Sequence, residues 1–346
     1  MSQLTIDAHA HILEMETVEE LKTALPGVRF SLEPVDEDSA HLYVSDVHQF
    51  PFPRGAWDME VRLEHMRQFG FDRQIVAVCP QTLLYDLDSR VTLTASQIQN
   101  DALGRLVSRD GARFDALATA PMQSPELAAR ELERAMRERG LVGAMIGSNI
   151  NGKNLDDPSL EPFWQVAEAL RAIILVHPVK TAGADRQKSY YLKNTIGNPL
   201  DTTIAAGSLI YGGVMERHPD LRVVLSHGGG FLPYQLGRFR HAWQVREEGK
   251  LHLKVSPEDS INRFYYDTIL HDARPLRYLV DTVGAEHVML GSDYPFDMGQ
   301  YDCVAVTRQT GLGQIQLDRL MKGTIEQLLV DARQAVQRPS LAPVQS

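Results

Sequence analysis

Eight short apolar runs recur along the 346 residues, and most are followed by a segment of helical periodicity. They centre near Ile6, Val76, Leu117, Val142, Leu175, Val224, Tyr265 and Met289. Runs such as Gln74 to Cys79 and Ile173 to Val176 are continuously apolar, not alternating, as a strand buried on both faces requires. Strands separated by helices pair in parallel. Eight such units in a chain of this length predict an α/β fold, a (β/α)8 TIM-like barrel with a small insertion after the first strand. A doubly wound open sheet is the alternative. No G-x-G-x-x-G follows the first strand, which counts against the dinucleotide-binding form of that fold.

The periodicity predicts helices over 58–69, 96–108, 124–139, 159–170, 201–217, 233–245 and 275–283. Asp58 is placed to cap the first of these and Gly70 to stop it. Residues 13–57 form the insertion; they hold Pro26-Gly27, Pro34, Pro51, Pro53 and the acidic patch Asp36-Glu37-Asp38. A structureless loop of that length is unusual in a compact domain, so a small helix and short strands are expected there. One domain is expected over 1–337, and residues 338–346 are expected to be a mobile tail.

Composition narrows the function. Hydrophobic residues make up 43% and charged residues 23%, as in globular proteins. A formal charge of −10 argues against nucleic acid or an anionic membrane as partner, while leaving room for a local basic pocket that takes an acidic small molecule. Cys79 and Cys303 provide no disulfide framework and fit a reducing cytosol. The N-terminus has no basic region followed by an apolar run, and no apolar stretch is long enough to span a bilayer. A soluble, cytoplasmic protein is expected.

The chemistry-bearing residues sit at strand ends. His9 and His11 alternate on the first strand and point the same way, a half-site for a metal ion. His177 ends the fifth strand, His227 the sixth and Asp293 the eighth. A lone histidine there is more often a structural hydrogen bonder, and a lone aspartate a turn former. Several independent strand ends with this pattern are harder to dismiss, because a barrel brings its C-terminal strand ends to one mouth. Zinc takes nitrogen and oxygen donors, and a catalytic zinc site keeps a position open for water. A further histidine or carboxylate outside the ligand set can take the proton.

The stretches Asp7-Ala8-His9-Ala10-His11, Val176-His177-Pro178, Ser226-His227-Gly228-Gly229-Gly230 and Gly291-Ser292-Asp293-Tyr294-Pro295-Phe296 resemble the amidohydrolase superfamily. With Asp201-Thr202-Thr203-Ile204-Ala205 and Gly212-Gly213-Val214, they resemble its aminocarboxymuconate-semialdehyde decarboxylase-like branch over nearly the whole chain. The resemblance implies one divalent metal, zinc or else manganese, on His9, His11, His177 and Asp293. It implies that His227 is the acid/base, with Asp293 also counted as catalytic. It further implies a homodimer in which Arg238 binds substrate carboxylate in the neighbouring subunit's site. Arg54 is a second candidate for that carboxylate, and for both arginines a surface salt bridge is the plainer alternative. The strand after which some relatives carry a carbamylated lysine ends here in Met145-Ile146-Gly147-Ser148, so a mononuclear site is expected.

Two loops depart from the branch. Gln81 to Asp86 holds Tyr85, and Thr181 to Asn198 holds Tyr190 and Tyr191. These loops are expected to line the pocket, where Tyr85, Tyr190 and Tyr191 would stack on a planar substrate; packing of the loops themselves is the plainer alternative. The expected activity is decarboxylation of a small unsaturated or aromatic carboxylic acid. Hydrolysis or hydration of a small amide, lactone or conjugated acid is the alternative on the same scaffold, and a non-catalytic binding protein is the third reading.

Overall fold

The computed structural model describes residues 4–338, so the expected tail lies, Arg338 apart, outside the described residues. Strand β1 (Ile6–Ile12) leads into helix α1 (Met15–Ala24) and an antiparallel meander of β2 (Phe30–Pro34), β3 (Ser39–Val44) and β4 (Val47–Pro53). The alternation then runs α2 (Met59–Phe69), β5 (Arg73–Val78), α3 (Ser89–Asp110), β6 (Phe114–Ala116), α4 (Pro125–Arg139), β7 (Gly143–Gly147), α5 (Glu161–Ala169) and β8 (Ile173–His177). It continues with α6 (Asn198–Tyr211), α7 (Val214–Arg217), β9 (Arg222–Leu225), α8 (Leu232–Val245), α9 (Pro257–Ile261), β10 (Tyr265–Asp267), α10 (Ala273–Val283) and β11 (Val288–Met289). Helices α11 (Cys303–Gln309), α12 (Gln314–Asp318) and α13 (Thr324–Ala335) follow.

The parallel strands form two arcs, β1-β5-β6 and β7-β8-β9-β10-β11. Hydrogen bonds join both seams. At one, Ala118 N donates to Gly143 O at 2.8 Å and Met145 N to Ala118 O at 2.9 Å. At the other, Ala8 N donates to Leu290 O at 2.8 Å and His11 N to Tyr294 O at 2.6 Å. The result is the eight-stranded (β/α)8 barrel that the apolar runs predict. Strands β1, β7 and β8 are buried along their whole length; in β7 and β8 this gives continuous apolar runs, whereas β1 alternates apolar residues with the buried polar Asp7, His9 and His11.

Local rules place most boundaries. The Asp58 side chain accepts the amides of Glu60 and Val61 at the start of α2, and Gly70 ends it with φ 81°. Helix α3 begins seven residues before its expected start. Asp88 caps it through the Arg90 amide, and Thr92 Oγ1 donates to Leu84 O, holding a first turn rich in poor helix formers. The helix expected over 201–217 starts at Asn198 and breaks at Gly212-Gly213, where Gly213 has φ 70° and a side chain would meet the His252 carbonyl. The meander and α1 bury Val18, Leu21, Phe30, Leu42 and Phe52 in a second small core, against Leu84 and Ala95 of the barrel layer. Both cysteines are buried and unpaired, and among the described residues no helix is long and apolar enough to cross a membrane.

Candidate metal centre

Strand β1 carries an irregularity between Asp7 and Ala10, where three steps along β1 match two along β5. Such a bulge re-aims side chains beside a site. Here His9 Nε2 and His11 Nε2 come within 3.1 Å of each other. Asp293, on the loop after β11, directs Oδ1 to 3.0 Å from His11 Nε2, 3.5 Å from His9 Nε2 and 3.8 Å from His177 Nε2. One ligand atom from each of these four buried residues lies within 4.8 Å of all the others.

The opposite edge of each imidazole is tied down. His9 Nδ1 meets Asp267 Oδ2 at 2.8 Å, His11 Nδ1 the Val78 carbonyl at 3.0 Å and His177 Nδ1 the Pro178 carbonyl at 3.2 Å. These contacts leave the three Nε2 atoms as the inward-facing donors, and the buried His177 Nε2 has no hydrogen-bond partner. An unpartnered buried nitrogen is costly unless something binds it. Three imidazole nitrogens and one carboxylate oxygen suit a divalent transition metal, and oriented outer partners are the usual support of such ligands.

Electrostatics supply most of the donors in the form a metal needs. Burial pushes the His177 imidazole down to about 3, against the pull of Asp293, and burial also lowers His11. Burial alone would raise the Asp293 carboxyl, but the imidazoles of His11, His177 and His227 crowded around it hold it well below the usual carboxylate range. His9 differs: burial lowers it, yet the hydrogen bond to Asp267 and the charge of Asp293 win, so it is raised. Both states matter, because metal ligands bind deprotonated.

His227 and Asp293 both adopt left-handed backbone, with φ 55° and 57°. Non-glycine residues there are uncommon and cluster at functional sites. The Asp293 amide donates to His9 O at 2.8 Å, and the His227 amide to Asp267 Oδ2 at 2.9 Å. His227 Nε2 lies 3.4 Å from Asp293 Oδ2, and His227 Nδ1 has no partner. It is also less buried than the four clustered residues.

Asp267 is the residue that sequence reading passed over. Fully buried at the end of β10, it joins His9, the His227 amide and the Gly228 amide. Its position at a strand end, the same signal as for the histidines, was the available clue. Asp7 forms a second buried anchor. It accepts the Ser292 amide and hydroxyl and the Gln74 amide group, and burial raises it to about 6.

The remaining candidates lie elsewhere. Arg54 Nε pairs with Asp58 Oδ2 at 2.8 Å and Nη1 donates to Glu37 O, so its guanidinium braces the start of α2. Arg238 is exposed on α8 and has no partner among the described residues. Tyr85 is buried, its hydroxyl accepting the Gly147 amide at 3.1 Å. Tyr190 is 91% exposed, whereas the neighbouring Tyr191 hydroxyl donates to Asp297 at 3.1 Å.

An amidohydrolase family profile matches residues 6–328. The 2-amino-3-carboxymuconate-6-semialdehyde decarboxylase of Dictyostelium discoideum is 35% identical over 86% of this chain and 83% of its own length. A gamma-resorcylate decarboxylase from a Polaromonas species is 30% identical over 69% of this chain and 77% of its own. The 5-carboxyvanillate decarboxylase of Novosphingobium aromaticivorans, whose crystals hold manganese and 4-hydroxy-3-methoxy-5-nitrobenzoic acid, superposes with a TM-score of 0.80. That likeness covers 95% of this chain and 96% of the other at 21% identity, and speaks to fold alone. The chain belongs to the amidohydrolase superfamily, in its aminocarboxymuconate-semialdehyde decarboxylase-like branch.

Proposed function

We propose that this protein is a metal-dependent decarboxylase, a carbon–carbon lyase that removes CO2 from a small aromatic or conjugated carboxylic acid. The observation that carries the reading is the convergence of three oriented imidazoles on one Asp293 oxygen, in a chain whose named relatives are decarboxylases. We assign one divalent ion to His9, His11, His177 and Asp293. Zinc suits a donor set of three nitrogens and one oxygen; manganese is the alternative, being held by the 5-carboxyvanillate relative. When bound, the ion supplies a Lewis-acid charge beside the substrate's oxygens.

The chain's own residues do the rest. In decarboxylation the bond to the departing carboxylate breaks, its electron pair stays on carbon, and a proton must arrive there. His227 is suited to hold and deliver that proton. Its Nε2 sits beside Asp293, its Nδ1 is free, and its backbone is clamped by Asp267. The substrate carboxylate needs a cation, and Arg54 is committed to Asp58. We therefore assign this role to Arg238 from a second copy of the chain. Its unpaired exposure on α8, on a helix that also exposes Tyr234 and Val245, supports a homodimer. The unpaired buried thiols of Cys79 and Cys303 support a cytoplasmic location.

The test is metal analysis coupled to a screen of aromatic and conjugated acids, with CO2 as the readout. One bound ion per chain with CO2 release supports the reading. An amine or ring-opened acid without CO2 would replace it with hydrolysis.

A further inference from the structure

The segment between β8 and α6 forms a strap that reaches from the end of β8 to the loops after β5 and β11. It leaves the end of β8 just after His177. Lys180 Nζ reaches Asp86 Oδ1 of the loop after β5 at 3.7 Å. Eleven residues on, Tyr191 donates to Asp297, four residues past Asp293 on the loop after β11. Strands β5 and β11 flank β1, since β1 pairs with β5 along one edge and bonds to the residues after β11 along the other. The strap's two anchors therefore stand on either side of the His9–His11 strand. Inside the strap, Gln187 is buried and donates to Ala182 O, and the Ala182 amide donates to Asp201, so the segment is internally braced.

Its charge is opposite to that of the molecule. Between Val179 and Pro199 stand Lys180, Arg186, Lys188 and Lys193 against the single acid Asp185, in a chain of formal charge −10. Arg186, Lys188 and Lys193 are exposed, and none has an ion-pair partner among the described residues. Unpaired cations at the rim of a cleft raise the local concentration of anions and their rate of entry, an effect that salt suppresses. Such a local inversion of potential suits an acidic protein whose proposed substrate is itself an acid.

We propose that Arg186, Lys188 and Lys193 form an anion-collecting surface that steers small organic carboxylates over the strap and into the metal centre. The identity of the natural ligand rests on the decarboxylase reading; the steering itself does not, because it acts on any small anion that reaches the ion.

The test compares two chelators of different charge on the cobalt-loaded protein, followed by stopped-flow absorbance. Pyridine-2,6-dicarboxylate is a dianion at neutral pH, and 1,10-phenanthroline is neutral. The triple variant Arg186→Gln, Lys188→Gln, Lys193→Gln is expected to slow attack by the dianion roughly three- to tenfold at about 10 mM salt. The two proteins should converge near about 0.5 M salt, where screening is short-ranged. Attack by phenanthroline should be unchanged throughout, which controls for a disturbed fold or metal site. If the variant leaves the ratio of the two chelator rates unchanged at low salt, the steering surface does not exist, whatever acid the enzyme decarboxylates. Failure of every acid to yield CO2 overturns the decarboxylase reading and leaves this comparison intact.

Discussion

Asp267 Oδ2 lies 2.8 Å from His9 Nδ1 and also accepts the His227 amide at 2.9 Å. One buried carboxylate thus fixes a proposed metal ligand and the turn that carries the proposed acid/base. Orienting partners of this kind typically change metal affinity 10- to 100-fold when removed. Asp267→Asn should weaken metal binding by about that factor, measured by competition with a chromogenic chelator, while the folded far-UV spectrum persists. Unaltered affinity would mean that Asp267 serves only the backbone turn.

The same contact sets a pH dependence. Burial lowers His9, but Asp267 and Asp293 outweigh it and raise it; burial raises Asp267, but His9 outweighs it and lowers it. In the metal-free protein the His9 contribution to stability is therefore full below its unfolded pKa and lost as pH rises through the folded one. The Asp267 contribution is present above its unfolded pKa and lost as pH falls through the folded one. Metal competes with a proton on His9, whose protonated form is favoured by its surroundings, whereas the surroundings of His11, His177 and Asp293 favour their deprotonated forms. Calorimetry in buffers of different ionisation enthalpy should show proton release on metal binding near neutral pH, and Asp267→Asn should reduce it.

Ligation and proton transfer separate by mutation. His9→Ala, His177→Ala and Asp293→Ala should each lose both the ion and turnover. His227→Ala should retain the ion and lose about 10²- to 10⁴-fold in kcat, the usual contribution of a positioned acid/base. Metal content measured beside kcat distinguishes the two classes, and a metal-free His227→Ala protein would move that residue into the ligand set.

The shared arginine predicts complementation. Arg238→Ala and Asp293→Ala should each be inactive, but mixed subunits that exchange should regain about a quarter of the wild-type activity, because each hybrid dimer rebuilds one intact site. Sedimentation showing an active monomer, or mixtures that stay inactive, would refute the assignment.

The barrel was legible because burial on both faces leaves continuous apolar runs, as in β7 and β8. The four clustered ligands were legible because barrel closure gathers strand ends. Asp267 escaped notice because an aspartate after a short strand reads as a turn former, and only the fold shows that it faces His9. The apolar run centred near Leu117 forms only a short strand, β6 ending at Ala116, because the chain there turns from pairing with β5 to bridging β7 through Ala118. In sequence the resemblance favours Arg238 over Arg54, with a surface salt bridge as the plainer alternative for both. The fold commits Arg54 to Asp58 and leaves Arg238 exposed and unpaired.

Packing at one backbone crossing is equally specific. A side chain on Gly143 would place its Cβ 2.0 Å from the Ile173 carbonyl oxygen and 2.5 Å from its nitrogen. Gly143→Ala should therefore prise β7 from the strand that ends in His177, costing roughly 2–3 kcal/mol by denaturant titration.

The central claim is that one ion on these four residues drives loss of CO2. The direct measurement takes a responsive aromatic or conjugated acid labelled in its carboxyl carbon and follows labelled CO2 from the loaded, chelator-stripped and reconstituted protein. The predicted result is release that vanishes on stripping and returns with about one equivalent of zinc or manganese. Undiminished CO2 from the stripped protein, or recovery that needs two ions per chain, would contradict the account.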